Sequence, residues 1–451
     1  MPDTLVLPTP RQIEWANCEI GVLIHYDMPT YVPDYVWDRR LGSAPPAAVF
    51  NPGSLSTDQW LEAAVSAGAK YAVLVAKHCS GFCLWPTKVH PYSIGASPWK
   101  DGKGDIVGDF IASCNKYGVR PGLYYSANAN GYLGMDVWRL QIGDGAAEDA
   151  AYPLPRALRD ATKAAREAYF SIVLAQLAEL WSQYGELFEI WFDGGVIPPE
   201  EGGPDIAALL HKLQPNAVVF QGPPGTRSLV RWVGNESGVA AEDCSAVVDY
   251  KQEAFDGTEE RLYAGNTDGN LWCPGEADMP NRKEQLAFQG GWFWHEGEES
   301  YIYPPGELFE KYLTSVGRNT NFLIGMGIDR HGLFPEKDTA AFLEFGRLIK
   351  SAFASPIMTL PTPECQTTYT FPLAQKQSPA FLVIEEDVAF GERISAFSLL
   401  RAHGGHEALI KQGKIIGHKR IIPLPPDPAE QLVFKITGSK APARLKRIAL
   451  Y

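Results

Sequence analysis

No block of lysine and arginine interrupts this chain, and the balance tips the other way: 53 acidic against 40 basic residues leave a net charge of −13. A polyanion such as a nucleic acid is therefore a disfavoured partner. Apolar stretches approaching the ~20 residues that a bilayer-crossing helix needs are missing, so no membrane partner is expected. The opening Met1-Pro2-Asp3-Thr4-Leu5-Val6-Leu7-Pro8 has neither a basic segment nor a continuous apolar one. It does not read as a secretory signal, and the expectation is a cytoplasmic protein, or a secreted one had a leader been removed. The seven cysteines, Cys18, Cys79, Cys83, Cys114, Cys244, Cys273 and Cys365, lack the spacing of a disulfide framework, and reduced thiols are expected. Internal repeats and low-complexity tracts are also missing.

What is present is ordinary for a large folded chain: 451 residues, 45% hydrophobic, 21% charged. The 12 Trp and 19 Tyr suit stacking against sugar faces, although a large aromatic core gives the same count. Strand-like runs at 20–25, 71–76, 120–125, 188–193, 217–220 and 321–326 alternate with helical ones at 56–67, 106–117, 156–184, 206–213 and 335–351. This alternation predicts an α/β architecture, a (β/α)8 TIM-like barrel over 1–352. An open doubly wound sheet wants a phosphate-binding glycine loop after its first strand, and His25-Tyr26-Asp27 stands there instead. Ser-Pro and Thr-Pro steps around 353–363 read as a linker. Beyond it, short β-rich runs at 367–373, 380–384, 394–400, 407–411, 414–420, 431–436 and 444–450 predict a C-terminal β-sandwich over 361–451.

Two carboxylates sit where barrel enzymes carry chemistry. Phe188-Glu189-Ile190-Trp191-Phe192-Asp193-Gly194-Gly195 is an apolar strand ending in an acid and two glycines. Arg231-Trp232-Val233-Gly234-Asn235-Glu236-Ser237-Gly238 repeats the setting. Two such acids suggest glycoside hydrolysis. His25, Lys77-His78 and Tyr124-Tyr125 stand at other strand ends, and Trp191, two residues from Asp193, shares its strand face. Each has a plainer explanation: a core histidine, a turn-forming aspartate, a surface glutamate at a helix start.

The chain resembles glycoside hydrolase family 29, the retaining α-L-fucosidases. The likeness rests on Ile24-His25-Tyr26, Lys77-His78, Gly81-Phe82-Cys83-Leu84-Trp85-Pro86, Pro121-Gly122-Leu123-Tyr124-Tyr125-Ser126, Trp191-Phe192-Asp193-Gly194, Gly291-Trp292-Phe293-Trp294-His295 and Ser315-Val316-Gly317-Arg318-Asn319. Gly234-Asn235-Glu236, Trp272-Cys273-Pro274-Gly275-Glu276 and the β-rich tail are similar to the subgroup acting on α-1,3 and α-1,4 linkages of branched, Lewis-type glycans. The resemblance implies Asp193 as nucleophile and Glu236 as general acid/base, with carboxyls about 5–5.5 Å apart. It also implies fucose-binding roles for His25, His78, Tyr125 in preference to Tyr124, Trp191 and Arg231. Trp272 and Glu276, with Trp292 and Trp294, are aglycone-side candidates. Fucosylated oligosaccharides or glycoconjugates are the implied partners, and no cofactor or metal is expected.

The chain departs from the family where Cys79-Ser80 follows His78 in place of a second histidine and an aspartate, and where Asp27 replaces a glycine. Other classes remain open at this level: a broad-specificity fucosidase, a non-catalytic glycan-binding protein, or a metal hydrolase built on His25, His78, Cys79 and Cys83, whose spacing is at most loosely zinc-like.

Overall fold

The computed structural model describes residues 5–37, 41–136, 156–249, 263–283, 291–374 and 378–451. Eight strands close a barrel: β1 (Ile20–His25), β2 (Tyr71–Lys77), β3 (Arg120–Tyr125), β4 (Glu189–Trp191), β5 (Val218–Phe220), β6 (Leu229–Trp232), β7 (Gly275–Met279) and β8 (Thr320–Gly327). Each runs parallel to its chain neighbour, and β8 pairs back onto β1. Helices Thr57–Ser66 and Ile106–Tyr117 form the crossovers after β1 and β2, and Arg156–Gln183, Ile206–Leu213, Pro305–Thr314 and Glu336–Phe353 follow later strands. Their starts are written locally: Ser56 and Asp105 accept from the backbone N–H three residues on, and Gly118, at φ 68°, ends the second helix. Between β5 and β6 the chain crosses in residues 221–228 without a helix.

Strand alternation sorts side chains into two shells. Val22, Ile24, Leu74, Leu123, Tyr125, Ile190, Val219, Phe322 and Ile324 join the outer core under the helices. Leu23, Tyr71, Val73, Tyr124, Trp191, Phe220, Val230 and Leu323 fill the barrel interior. Gly325 belongs to the inward set: a Cβ there would come 2.9 Å from the Trp292 ring, so the missing side chain is what lets Trp292 lie in the barrel mouth.

β9 (Met358–Thr359), β10 (Thr368–Pro372), β11 (Phe381–Glu386), β12 (Ile394–His403), β13 (His406–Gly413), β14 (Arg420–Pro423), β15 (Gln431–Ser439) and β16 (Leu445–Leu450) build two antiparallel sheets, β9-β16-β11-β14 and β10-β15-β12-β13. One core, including Phe371, Ile384, Leu399, Phe434 and Ile448, lies between them, so the barrel is followed by a β-sandwich. The strand expected at 414–420 is a loop whose amides leave the ladder. Those of Lys414 and Ile415 donate to Asp243, that of Gly417 to Glu386 and that of His418 to Asn319, and β14 begins only at Arg420.

Glu392, buried in the sandwich, ties it to the barrel by accepting from Ser245 Oγ (2.6 Å), the Ala246 amide (2.8 Å) and Asn319 Nδ2 (2.7 Å). Glu392→Ala is expected to cost about 2–4 kcal/mol, because it strands three buried donors. Denaturant unfolding reads this, and a loss under 0.5 kcal/mol would contradict it.

Candidate active site

Asp193 stands two residues beyond β4, on a turn that Gly194 (φ 65°) and Gly195 (φ 73°) make by adopting left-handed backbone. Asn128 holds the turn, its Nδ2 donating to the carbonyls of Gly195 (2.9 Å) and Gly194 (3.3 Å). The Tyr124 hydroxyl donates to Asp193 Oδ2 at 2.7 Å. Burial raises the Asp193 carboxyl above the ordinary aspartate range, and the Tyr124 hydrogen bond opposes that rise.

His25, the last residue of β1, and His78, the residue after β2, complete this side of the mouth. Their rings lie 5.9 Å apart, and the Tyr124 ring stacks on His78 at 5.7 Å and 16°. Burial pushes His25 down to about 3. His78 falls well below its usual value through burial, with His25 and Lys77 adding to the fall. Both imidazoles are therefore neutral near pH 7; Nδ1 of His25 donates to the Leu23 carbonyl at 3.4 Å, which leaves its other nitrogen to accept from a sugar hydroxyl. Asp27, pushed up to about 7 by burial, accepts from Ser80 Oγ at 2.7 Å. Two of the three positions where this chain departs from the family it resembles, Asp27 and Ser80, thus touch each other beside His78.

Glu236 is exposed on the turn after β6, and its Oε2 accepts from Trp292 Nε1 at 3.0 Å. Trp292 packs on His25, ring centroids 4.9 Å apart. A continuous path therefore runs from Glu236 through Trp292, His25, His78 and Tyr124 to Asp193, all around one barrel mouth. Beside it, Asp27, Tyr35, Trp37, His78, Ser80 and Phe293 line a cavity.

Four expected contacts lie elsewhere, and strand geometry explains each. Tyr125 is on the outer face of β3, bonded to Gln176 Oε1 at 2.7 Å, so Tyr124 takes the place expected for it. Arg231 likewise points out of the barrel, donating to the carbonyls of Cys273 and Ser245, while its neighbour Trp232 faces in and donates to Asp278 Oδ1 at 2.8 Å. Glu276 is fully buried inside the barrel, accepting from Tyr71 at 2.5 Å and from Trp191 Nε1 at 2.9 Å. Trp272 precedes β7 and so lies at the opposite end of the barrel, in a cleft with Gln12, Trp15, Asn321 and His418.

Trp191 faces inward, stacked between Tyr124 (5.2 Å) and Phe220 (4.0 Å), and with its indole fixed by Glu276 it forms the floor beneath Asp193. Sequence reasoning passed over Asp278, an inward carboxyl of β7 held well above its normal value by burial and by Glu236. Its alternation with Glu276 was the available signal. Cys83 does not join the metal-type cluster considered from sequence. It contacts Gln176 and His90, and the thiol beside His78 is that of Cys79 alone.

A family model described as Alpha-L-fucosidase matches residues 10–352. Alpha-L-fucosidase 1 of Arabidopsis thaliana is 28% identical over 93% of this chain and 82% of its own length. A rice relative is 29% identical over 98% of this chain and 84% of its own. A solved alpha-L-fucosidase-family structure from Bacteroides thetaiotaomicron superposes with a TM-score of 0.87, at 33% identity, over 99% of both chains.

Proposed function

The chain belongs to the alpha-L-fucosidase family of glycoside hydrolases, and from that premise we propose that it is a retaining exo-α-L-fucosidase that releases α-1,3- and α-1,4-linked fucose from branched, Lewis-type glycans. The observation that carries this reading is the mouth itself, where Asp193 and Glu236 border one ring of neutral and aromatic side chains. Asp193 attacks the anomeric carbon while protonated Glu236 gives its proton to the departing oxygen, leaving a fucosyl ester on Asp193. Glu236, now ionised, takes a proton from water, which opens the ester with net retention. His25 and His78 meet hydroxyls, and the edges of the stacked Tyr124 and Trp191 rings, whose faces pack on His78, on each other and on Phe220, close the floor under the sugar. Exposure of Glu236 suits its task, since leaving group and water both arrive from outside.

Trp294, half-buried with Arg330 over its ring at 5.4 Å, replaces Trp272 and Glu276 as the aglycone-side candidate. The catalytic unit proposed is 1–352 with the sandwich at 361–451, and the proposed location is the cytoplasm, where exposed Cys365 stays reduced. A panel of fucosylated oligosaccharides followed by proton NMR tests the reading: α-L-fucose is the first product expected, with Lewis-type trisaccharides cut faster than α-1,2-fucosyl disaccharides. β-L-Fucose as first product, or a preference for the 1,2 linkage, would overturn it. Trp294→Ala is expected to slow trisaccharide hydrolysis about 10-fold and aryl fucoside hydrolysis under twofold, since a lost stacking contact is worth roughly 1–1.5 kcal/mol; equal losses would mean packing only.

Tyr124→Phe is expected to lower kcat/KM about 10- to 100-fold, the worth of one hydrogen bond to a carboxylate. The nucleophile must be ionised, and this bond favours its ionised form, so the acid limb of the pH profile moves up in the variant. Tyr125→Phe leaves that limb in place. A shift with Tyr125→Phe instead would reverse the assignment.

A further inference from the structure

Outside the proposed reaction, the mouth holds a thiol with no part in it. One imidazole nitrogen of His78, Cys79 Sγ and a carboxylate oxygen of Asp193 all lie within 4.8 Å of one another. Cys79 is buried, whereas His78 and Asp193 are partly open to the mouth, so an ion reaches the cluster by the sugar's route. Nitrogen, sulfur and oxygen donors from three side chains, with an outward fourth position, form a set that favours zinc or cadmium over magnesium or calcium. Asp27 adds a second observation. Its Oδ2 is buried, accepts no hydrogen bond among the described residues, and stands 3.9 Å from His78 Nδ1. A movement of about 1 Å would let it accept from that nitrogen, orienting the ring and leaving Nε2 for a cation, as carboxylates do behind metal-bound histidines.

We propose that His78, Cys79 and Asp193 bind a thiophilic divalent cation, zinc or cadmium, and that cation and fucoside exclude each other from the mouth. Binding breaks the S–H bond of Cys79: the proton passes to solvent and the sulfur lone pair goes to the metal, with no change of oxidation state. The exclusion half rests on Asp193 being the nucleophile, because the cation takes the same carboxylate.

Cadmium chloride titrated into the full chain, followed by the ultraviolet thiolate-to-cadmium band, tests the site. A saturable band is expected in the wild type, lost in Cys79→Ser, retained in Cys83→Ser and suppressed by millimolar L-fucose. In parallel, zinc is expected to inhibit aryl fucoside hydrolysis competitively. Cys79→Ser, measured against its own metal-free rate, is expected to need at least 10-fold more zinc for half-inhibition. A wild-type band that is missing, or unchanged by Cys79→Ser, overturns the site. Fucose protection of the wild-type protein keeps the test decisive if that variant does not fold. A Cys79-dependent band with hydrolysis untouched at saturating cadmium leaves the site standing and overturns the role of Asp193.

Discussion

Asp193→Ala is expected to lower kcat/KM for an aryl fucoside by on the order of 10^4-fold while leaving thermal unfolding within a few degrees of the wild type. The carboxylate is anchored by one hydroxyl and surrounded by side chains that hold their own places: Tyr124 on Trp191, Trp191 on Glu276, and Asn128 on the glycine turn. Removing it takes away the group that forms the ester and little of the packing. Azide supplied to this variant attacks the substrate directly, from the face opposite the leaving group. The rescued product should therefore be the β-fucosyl azide. Unchanged turnover in a folded Asp193→Ala protein would move the nucleophile elsewhere, with Asp278, Glu276 and Glu189, which shares the inward face of β4 with Trp191, as the other inward barrel carboxyls among the described residues.

Glu236→Ala is expected to separate substrates by their leaving groups. A Lewis-type trisaccharide, whose sugar oxygen must be protonated to depart, should lose about 10^2- to 10^4-fold. A dinitrophenyl fucoside needs no such proton, so its ester forms quickly and accumulates, giving a burst followed by slow hydrolysis. Azide then opens that ester and yields the α-fucosyl azide, the anomer opposite to that from the Asp193 variant. Should azide rescue Asp278→Ala in this manner and fail with Glu236→Ala, the proton donor is the buried acid next door, the group whose ionisation Glu236 already opposes.

The barrel, the sandwich and the strand ends bearing His25, His78, Asp193 and Glu236 were legible because short apolar runs, continuous in the barrel and alternating with polar residues in the sandwich, are closed by polar and glycine residues and leave few other solutions. The phase of alternation in the flanking residues was harder to read. Tyr124 and Tyr125 are chemically the same, and only the barrel pairing of Tyr124 with Trp191 tells which one faces in. Adjacent residues of parallel strands in register share a face, so fixing Trp191 beneath Asp193 would have fixed Tyr124 as well. Arg231 and Trp232 exchanged expectations for the same reason: Trp232 pairs with Glu276, inside, and Arg231 with Gly275. Gly275–Met279 was not recognised as a strand at all, since Glu276 and Asp278 break its apolar pattern. Buried carboxyls are costly and therefore rare, and here Tyr71, Trp191 and Trp232 donate to them. A sequence does not display that compensation, so Trp272 and Glu276 read as groups at the mouth when they lie at the far end and inside the barrel.

The central claim is that Asp193 carries the sugar between the two displacements. A 2-fluorinated fucosyl fluoride forms its ester faster than water opens it, because the fluorine disfavours both transition states and the fluoride leaves readily. Peptide mass spectrometry of the inactivated protein should place the fluorosugar on Asp193. The same label on Glu236, Glu276 or Asp278, or full retention of activity with no label, would contradict the account.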